Sequence, residues 1–135
     1  MKAIPELYWL AFIALATLMM WAPYILESFV RRGIFPTMGN PTPNDPAPPA
    51  WADRAKRAHL NAVDNLVVFA PLVLSLAAMG ANTGVTIVAA KLYVFARLGH
   101  YLVYVAGVPV LRTVLFLAGI AATVVIGLAV LGASV

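Results

Sequence analysis

The sequence predicts an all-α membrane protein, a bundle of four transmembrane helices in a single domain of 135 residues. Composition is the first ground for this. Hydrophobic residues make up 63% of the chain and charged ones 10%, with mean hydropathy +0.92. A soluble domain is about 45–50% apolar and about 25% charged. The second ground is spacing: apolar runs long enough to cross a bilayer alternate with stretches rich in turn residues. The third is where the basic residues fall. Arg31, Arg32, Arg54, Lys56 and Arg57 bracket the first loop, whereas the second loop has none. That asymmetry follows the positive-inside rule and predicts cytosolic first and third loops with both termini outside.

The spans are predicted at about 5–29, 54–79, 85–105 and 111–131. In the first, Lys2 before an apolar run suggests a signal peptide, but the run is long and no small-x-small cleavage site follows it cleanly. A retained helix is expected, kinked near its end by Pro23, with Glu27 and Arg31 paired one turn apart. Residues 33–52 hold so many prolines that an extended cytosolic loop is expected. Trp51 sits where an interfacial anchor would, and Asp53 suits a helix start. Pro71 falls inside the second span, which membrane helices tolerate. Gly80–Gly84 reads as a tight turn and Gly107–Pro109 as a short connection. Gly119, Gly127 and Gly132 would let the last helix approach its neighbours closely.

Several chemistries are excluded. The chain has no cysteine, so it can form neither a disulfide nor a thiolate metal site, and any thiol chemistry must use a substrate's sulfur. His59 and His100 lack a nearby carboxylate pair, which argues against a metal centre. The net charge of +4 comes without a basic run interleaved with aromatics, so nucleic acid is not an expected partner.

The chemistry concentrates in Arg57-Ala-His-Leu-Asn61-Ala-Val-Asp64, where Arg57, Asn61 and Asp64 are spaced to share one helix face. The third span carries Tyr93, Arg97, His100 and Tyr104 at similar spacing. Asp64 lies seven residues past Arg57, and Arg97 lies seven before Tyr104, so the two charges are expected at one depth as partners. Such stripes can be simple interhelical glue. Yet Arg31, Arg32, Arg57, Arg97 and Arg112 outnumber Asp64 and Glu27. A surplus of guanidinium groups in a semi-buried cleft calls for an anionic guest. Arg31 and Arg32 can equally snorkel to headgroups. Lys91 reads as a snorkelling or structural lysine, His59 as interfacial and Tyr101 as packing.

These segments resemble the family of membrane-associated proteins in eicosanoid and glutathione metabolism (MAPEG). Arg57 to Asp64 resembles its Arg-x-x-x-Asn-x-x-Glu signature. Leu92-Tyr-Val-Phe-Ala-Arg97-Leu-Gly-His100-Tyr-Leu-Val-Tyr104 resembles its third-helix Ala-Arg segment, and Pro109-Val-Leu-Arg112-Thr113 the start of its fourth helix. The likeness implies a homotrimer with glutathione, as co-substrate, bound between subunits near the cytosolic side. By that likeness Arg57, Asn61, Asp64, Arg97, His100, Tyr104 and Thr113 line the tripeptide site with Arg31 or Arg32. Arg112 stands near the sulfur as the catalytic residue. The implied reaction is conjugation or peroxide reduction, with a lipophilic electrophile arriving from membrane lipid. Two positions depart from the pattern: Asp64 replaces a glutamate, and Phe116 stands where some members carry tyrosine. Two other classes remain: a non-catalytic protein of the same fold, and a small four-helix exporter. The exporter would need a mid-membrane acid, whereas Glu6 and Glu27 lie at helix ends.

Overall fold

The chain folds as six helices among the residues described, 3–133 of a computed structural model. They are α1 (Pro5–Met19), α2 (Ala22–Arg32), α3 (Ile34–Met38), α4 (Ala50–Ala78), α5 (Gly84–Ala106) and α6 (Pro109–Ala133). Three stretches are long and apolar enough to cross a membrane: Pro5–Arg32, Ala50–Ala78 and Pro109–Ala133. Between α4 and α6 in sequence lies α5, which carries Lys91, Arg97 and His100 and is not among these three. It packs against α1, α4 and α6, so its buried polar groups face protein.

The first span is interrupted near Pro23, where the kink is expected. Pro23 has no N–H to give the carbonyl one turn before it, and the helix interrupts at Met20–Trp21. Side chains from neighbouring helices hold the break. The Tyr101 hydroxyl donates to the Met20 carbonyl at 3.1 Å, and Tyr24 hydroxyl is hydrogen-bonded to His59 Nδ1 at 2.9 Å. The expected proline-rich loop contains the short helix α3, and α4 starts at Ala50, immediately after Pro49. Helix α4 runs through Pro71 without interruption.

The core is small and apolar. Phe69 of α4 stacks flat on Tyr93 of α5, with ring centres 3.6 Å apart, surrounded by Ile13, Val73, Leu76, Val94 and Ile126. Toward the other end, α4 buries Ala52, Ala55, Ala58 and Ala62, which keeps its neighbours close. Outward positions such as Leu15, Val67, Leu117 and Leu128 are exposed and apolar, as lipid contact requires.

Turn chemistry fixes both ends of α5. Thr83 caps its start through reciprocal hydrogen bonds with Thr86. Gly107 ends it at φ 81°, a left-handed conformation that favours glycine. There Arg54 of α4 donates from Nε to the Val105 carbonyl at 2.9 Å, tying the start of α4 to the end of α5. The start of α6 follows directly. These three helix termini frame the candidate site.

Candidate functional site in the cleft between helices four, five and six

A cleft of about 220 Å³ opens at that end, lined by Asn61, His100, Tyr104, Arg112, Thr113 and Phe116. Periodicity explains the convergence. His100 and Tyr104 are one turn apart on α5, and Arg112 and Phe116 are one turn apart on α6. The tight Gly107 turn folds the second pair back over the first. The guanidinium carbon of Arg112 lies 4.5 Å from the centre of the Tyr104 ring, a cation–π contact that steers the side chain across the cleft. His100 is buried, edge-on to Tyr104 at 5.5 Å and tilted against Phe116 at 6.1 Å. The Thr113 hydroxyl donates back to the Pro109 carbonyl at 3.2 Å.

Arg97 lies behind this lining. Only 2% of it is exposed. Its Nη1 donates to Asn61 Oδ1 at 3.1 Å and its Nη2 to the Phe116 carbonyl at 3.4 Å, and its guanidinium carbon lies 5.2 Å from the Phe116 ring centre. The expected partnership of Asp64 with Arg97 does not form. Asp64 is exposed on the outer side of α4, and the two share no ion pair among the described residues. Arg97 instead reaches Asn61, nearly one turn nearer the start of α4. The buried line of α4 runs through Ala58 and Ala62. At ~100° per residue, Asn61 lies roughly 100° from Ala62 and Asp64 roughly 160°.

The remaining arginines lie outside the cleft. Arg57 is exposed and paired with Asp53 at 2.9 Å. Arg31 forms the expected pair with Glu27 at 2.7 Å and also donates to the Pro46 carbonyl. Arg32 pairs with Asp45 at 2.7 Å and donates to the Pro36 carbonyl at 2.9 Å. The last turn of α2 therefore clamps the proline-rich loop. Asp45 in turn accepts from the Thr42 backbone N–H and hydroxyl, both at 2.9 Å. Those bonds, with Arg32 and Arg31 nearby, hold its carboxyl below the ordinary value of 3.8.

The sequence profile of the MAPEG family matches residues 7–132, nearly the whole chain. The chain belongs to the MAPEG family. Membership, together with the three apolar helices, makes it a membrane protein of the type found in glutathione and eicosanoid metabolism. MAPEG proteins generally use glutathione. Among curated proteins, none matches the chain. Two residues of this MAPEG cleft escaped sequence reasoning in their actual roles. In the sequence Phe116 reads only as a lost hydroxyl, yet its ring and carbonyl both hold Arg97. Gly119 reads in the sequence as a point of helix approach. A β-carbon there would come 2.9 Å from Arg97 Nε, so it is a notch for that side chain. A glycine in α6 on the same side as the stripe's arginine was the available signal.

Proposed function

We propose that the protein is a glutathione-dependent membrane transferase or peroxidase that acts on lipophilic electrophiles, with Arg112 stabilising the glutathione thiolate. The observation that carries this reading is the convergence of Arg112 with Asn61, His100, Tyr104 and Thr113 in one cleft. A guanidinium beside a thiol lowers the thiol's pKa and supplies the nucleophile at neutral pH. The thiol proton leaves to solvent, and the sulfur forms a bond to the electrophilic carbon. The electron pair displaced from that carbon leaves with its substituent, which then takes up a proton. In the peroxidase reaction, the thiolate sulfur bonds to the terminal peroxide oxygen as the O–O bond breaks, and the alkoxide leaves and takes up a proton as the alcohol. A second glutathione thiol then displaces water from the resulting sulfenic acid to give the disulfide.

Two further parts of the proposal concern assembly and orientation. The cleft's 220 Å³ falls below the roughly 300–1,000 Å³ of an ordinary ligand pocket. One protomer would thus hold only part of a charged tripeptide. Asp64 and Arg57 lie on an exposed face of α4, where bare lipid is a costly neighbour for the carboxylate. A homotrimer in which that face meets the adjacent cleft would cover Asp64 and complete the site. We take α5 as the fourth crossing, its polar stripe shielded by α4 and α6. The end bearing Arg31, Arg32, Arg57 and Arg112 is then cytosolic, with the termini opposite.

Calorimetric titration of the detergent-solubilised protein with glutathione, read alongside ultraviolet thiolate absorbance, tests this. Saturable binding with a thiolate signal that Arg112→Ala removes is the expected result. A flat wild-type titration would refute it. Binding without ionisation would favour a non-catalytic protein, a reading that the hydrocarbon ring of Phe116 at the cleft supports.

A further inference from the structure

Arg97 is the largest fully buried side chain in the protein, and it has no carboxylate beside it among the described residues. A buried charge is expensive unless it is paired or well hydrogen-bonded. Its polar contacts are few: one amide oxygen, one carbonyl, and an Nε with no partner. Helix α6 is shaped to admit it all the same. A β-carbon on Gly119 would lie 2.9 Å from Nε and 3.2 Å from Nη2, closer than packed atoms sit.

What this arrangement does is visible at Asn61. Its Oδ1 accepts from Arg97 Nη1 at 3.1 Å and faces Asn65 Nδ2 at 3.4 Å. Asn65 Nδ2 is itself anchored on the Asn61 carbonyl at 2.8 Å. Two donors therefore converge on one end of the Asn61 amide. A primary amide has an acceptor end and a donor end, and its network decides which way each points. With Oδ1 turned back toward Arg97, Nδ2 is left for the cleft that Asn61 lines with Arg112.

We propose that Arg97 is a positioning residue. Seated in the Gly119 notch, it fixes the Asn61 amide so that Nδ2 donates into the cleft and selects a ligand presenting a carbonyl or carboxylate oxygen there. The identity of that ligand as glutathione rests on the function proposed above; the orientation of Asn61 does not. Arg97 itself stays behind the lining and acts through Asn61. Its positive charge reaches the cleft only as a turned amide and as background potential.

The test combines a binding cycle with a direct view of the amide, using the full chain in detergent. Arg97→Met and Gly119→Ala are each expected to weaken glutathione binding about tenfold or more, the scale of one hydrogen bond to a charged partner. In an Asn61→Ala background neither change should weaken binding further, because their shared route is already gone. In protein labelled with ¹⁵N-asparagine, the Asn61 side-chain signal is identified by its loss in Asn61→Ala. It should shift in both Arg97→Met and Gly119→Ala. Losses that simply add in the double variants would overturn the proposal, as would an Asn61 signal unmoved by both changes. Should Arg97→Met fail to fold, Gly119→Ala carries the test with the arginine retained. Should the wild type bind no glutathione, the function proposed above fails while the amide signals still decide the positioning.

Discussion

The two ends of the bundle each bury a charge without an opposite charge beside it among the described residues, and they do so differently. At one end Glu6 is fully buried in the first turn of α1, and its Oε1 accepts from the Thr86 hydroxyl at 2.5 Å. Thr86 belongs to the capping pair that starts α5, where backbone N–H groups and the helix dipole favour an anion. At the other end Arg97 sits mid-helix, too far from a terminus for that help, and borders a cleft holding a second guanidinium. Glu6 Oε1 is held by the Thr86 hydroxyl of α5 while its Oε2 is buried without a partner, and the one bond across to another helix marks it as a fastening between α1 and α5. Arg97 and Arg112 together leave a surplus of positive charge, which suits the anionic ligand proposed above.

The sharpest way to break this contrast is to remove one group from each end. Arg112→Ala should cut turnover about 10²-fold, the scale of losing one preorganised group that stabilises developing negative charge. Thermal melting of that variant should hardly move, since Arg112 is half-exposed and rests on the Tyr104 ring. Glu6→Ala should behave in the opposite way. Turnover per folded molecule stays, while stability falls by roughly 1–3 kcal/mol because the hydrogen bond joining α1 to α5 is lost, Thr86 keeping only its bonds to Thr83. Thr86→Val should cost a similar amount, and the double variant much less than the sum. If Glu6→Ala left melting unchanged and abolished turnover, the assignment of the two ends would be reversed.

How much of this was written in the sequence depends on which coordinate is asked for. Axial position was legible. The apolar runs gave the long helices, spacing placed Asn61 on one stripe and His100 and Tyr104 on another, and the family resemblance added Arg112 and Thr113; these five line one cleft. Rotation about each axis was less so. Asp64 fell on the outer side of α4 while Asn61 took the contact with Arg97, because three residues' difference turns a side chain well away from a partner. Tyr93 shared the spacing of the polar stripe but stacks on Phe69 in the core. Glu6 read as a helix-end acid, and nothing local signalled that α5 would close over it. That burial is set by contacts far apart in the chain, which periodicity does not report.

A smaller effect is expected at the broken first span, which lies between the two ends. Tyr101→Phe removes the donor to the Met20 carbonyl, and Tyr24→Phe removes the bond to His59. Each should cost about 1 kcal/mol, the net value of a single hydrogen bond. The loss should appear as faster hydrogen exchange confined to the residues around Met20 and Trp21, with the cleft unaffected. Exchange that quickened at Asn61 and His100 as well would mean that the break and the cleft move together, and the two regions could not be treated as independent.

The mildest expected effect concerns the loop that α2 clamps. Asp45 holds its carboxyl below 3.8 chiefly through the Thr42 backbone N–H, then the Thr42 hydroxyl and the two arginines. A carboxyl whose pKa is lower folded than unfolded adds stability above its unfolded value and loses it as pH falls through the folded one. The clamp should therefore be intact at neutral pH and should loosen only in acid below about 3.8. Limited proteolysis of residues 39–49 across that range should show the loop opening, with α4 and α5 still protected. Asp45→Asn should already be open at neutral pH and show no acid transition of its own. Because Asp45 is the carboxylate that holds Arg32, while Arg31 keeps its pair with Glu27, the same variant also asks whether Arg32 can serve the cleft. If glutathione affinity rises in Asp45→Asn, Arg32 is held in reserve by the loop; if it stays constant, its role ends at the clamp.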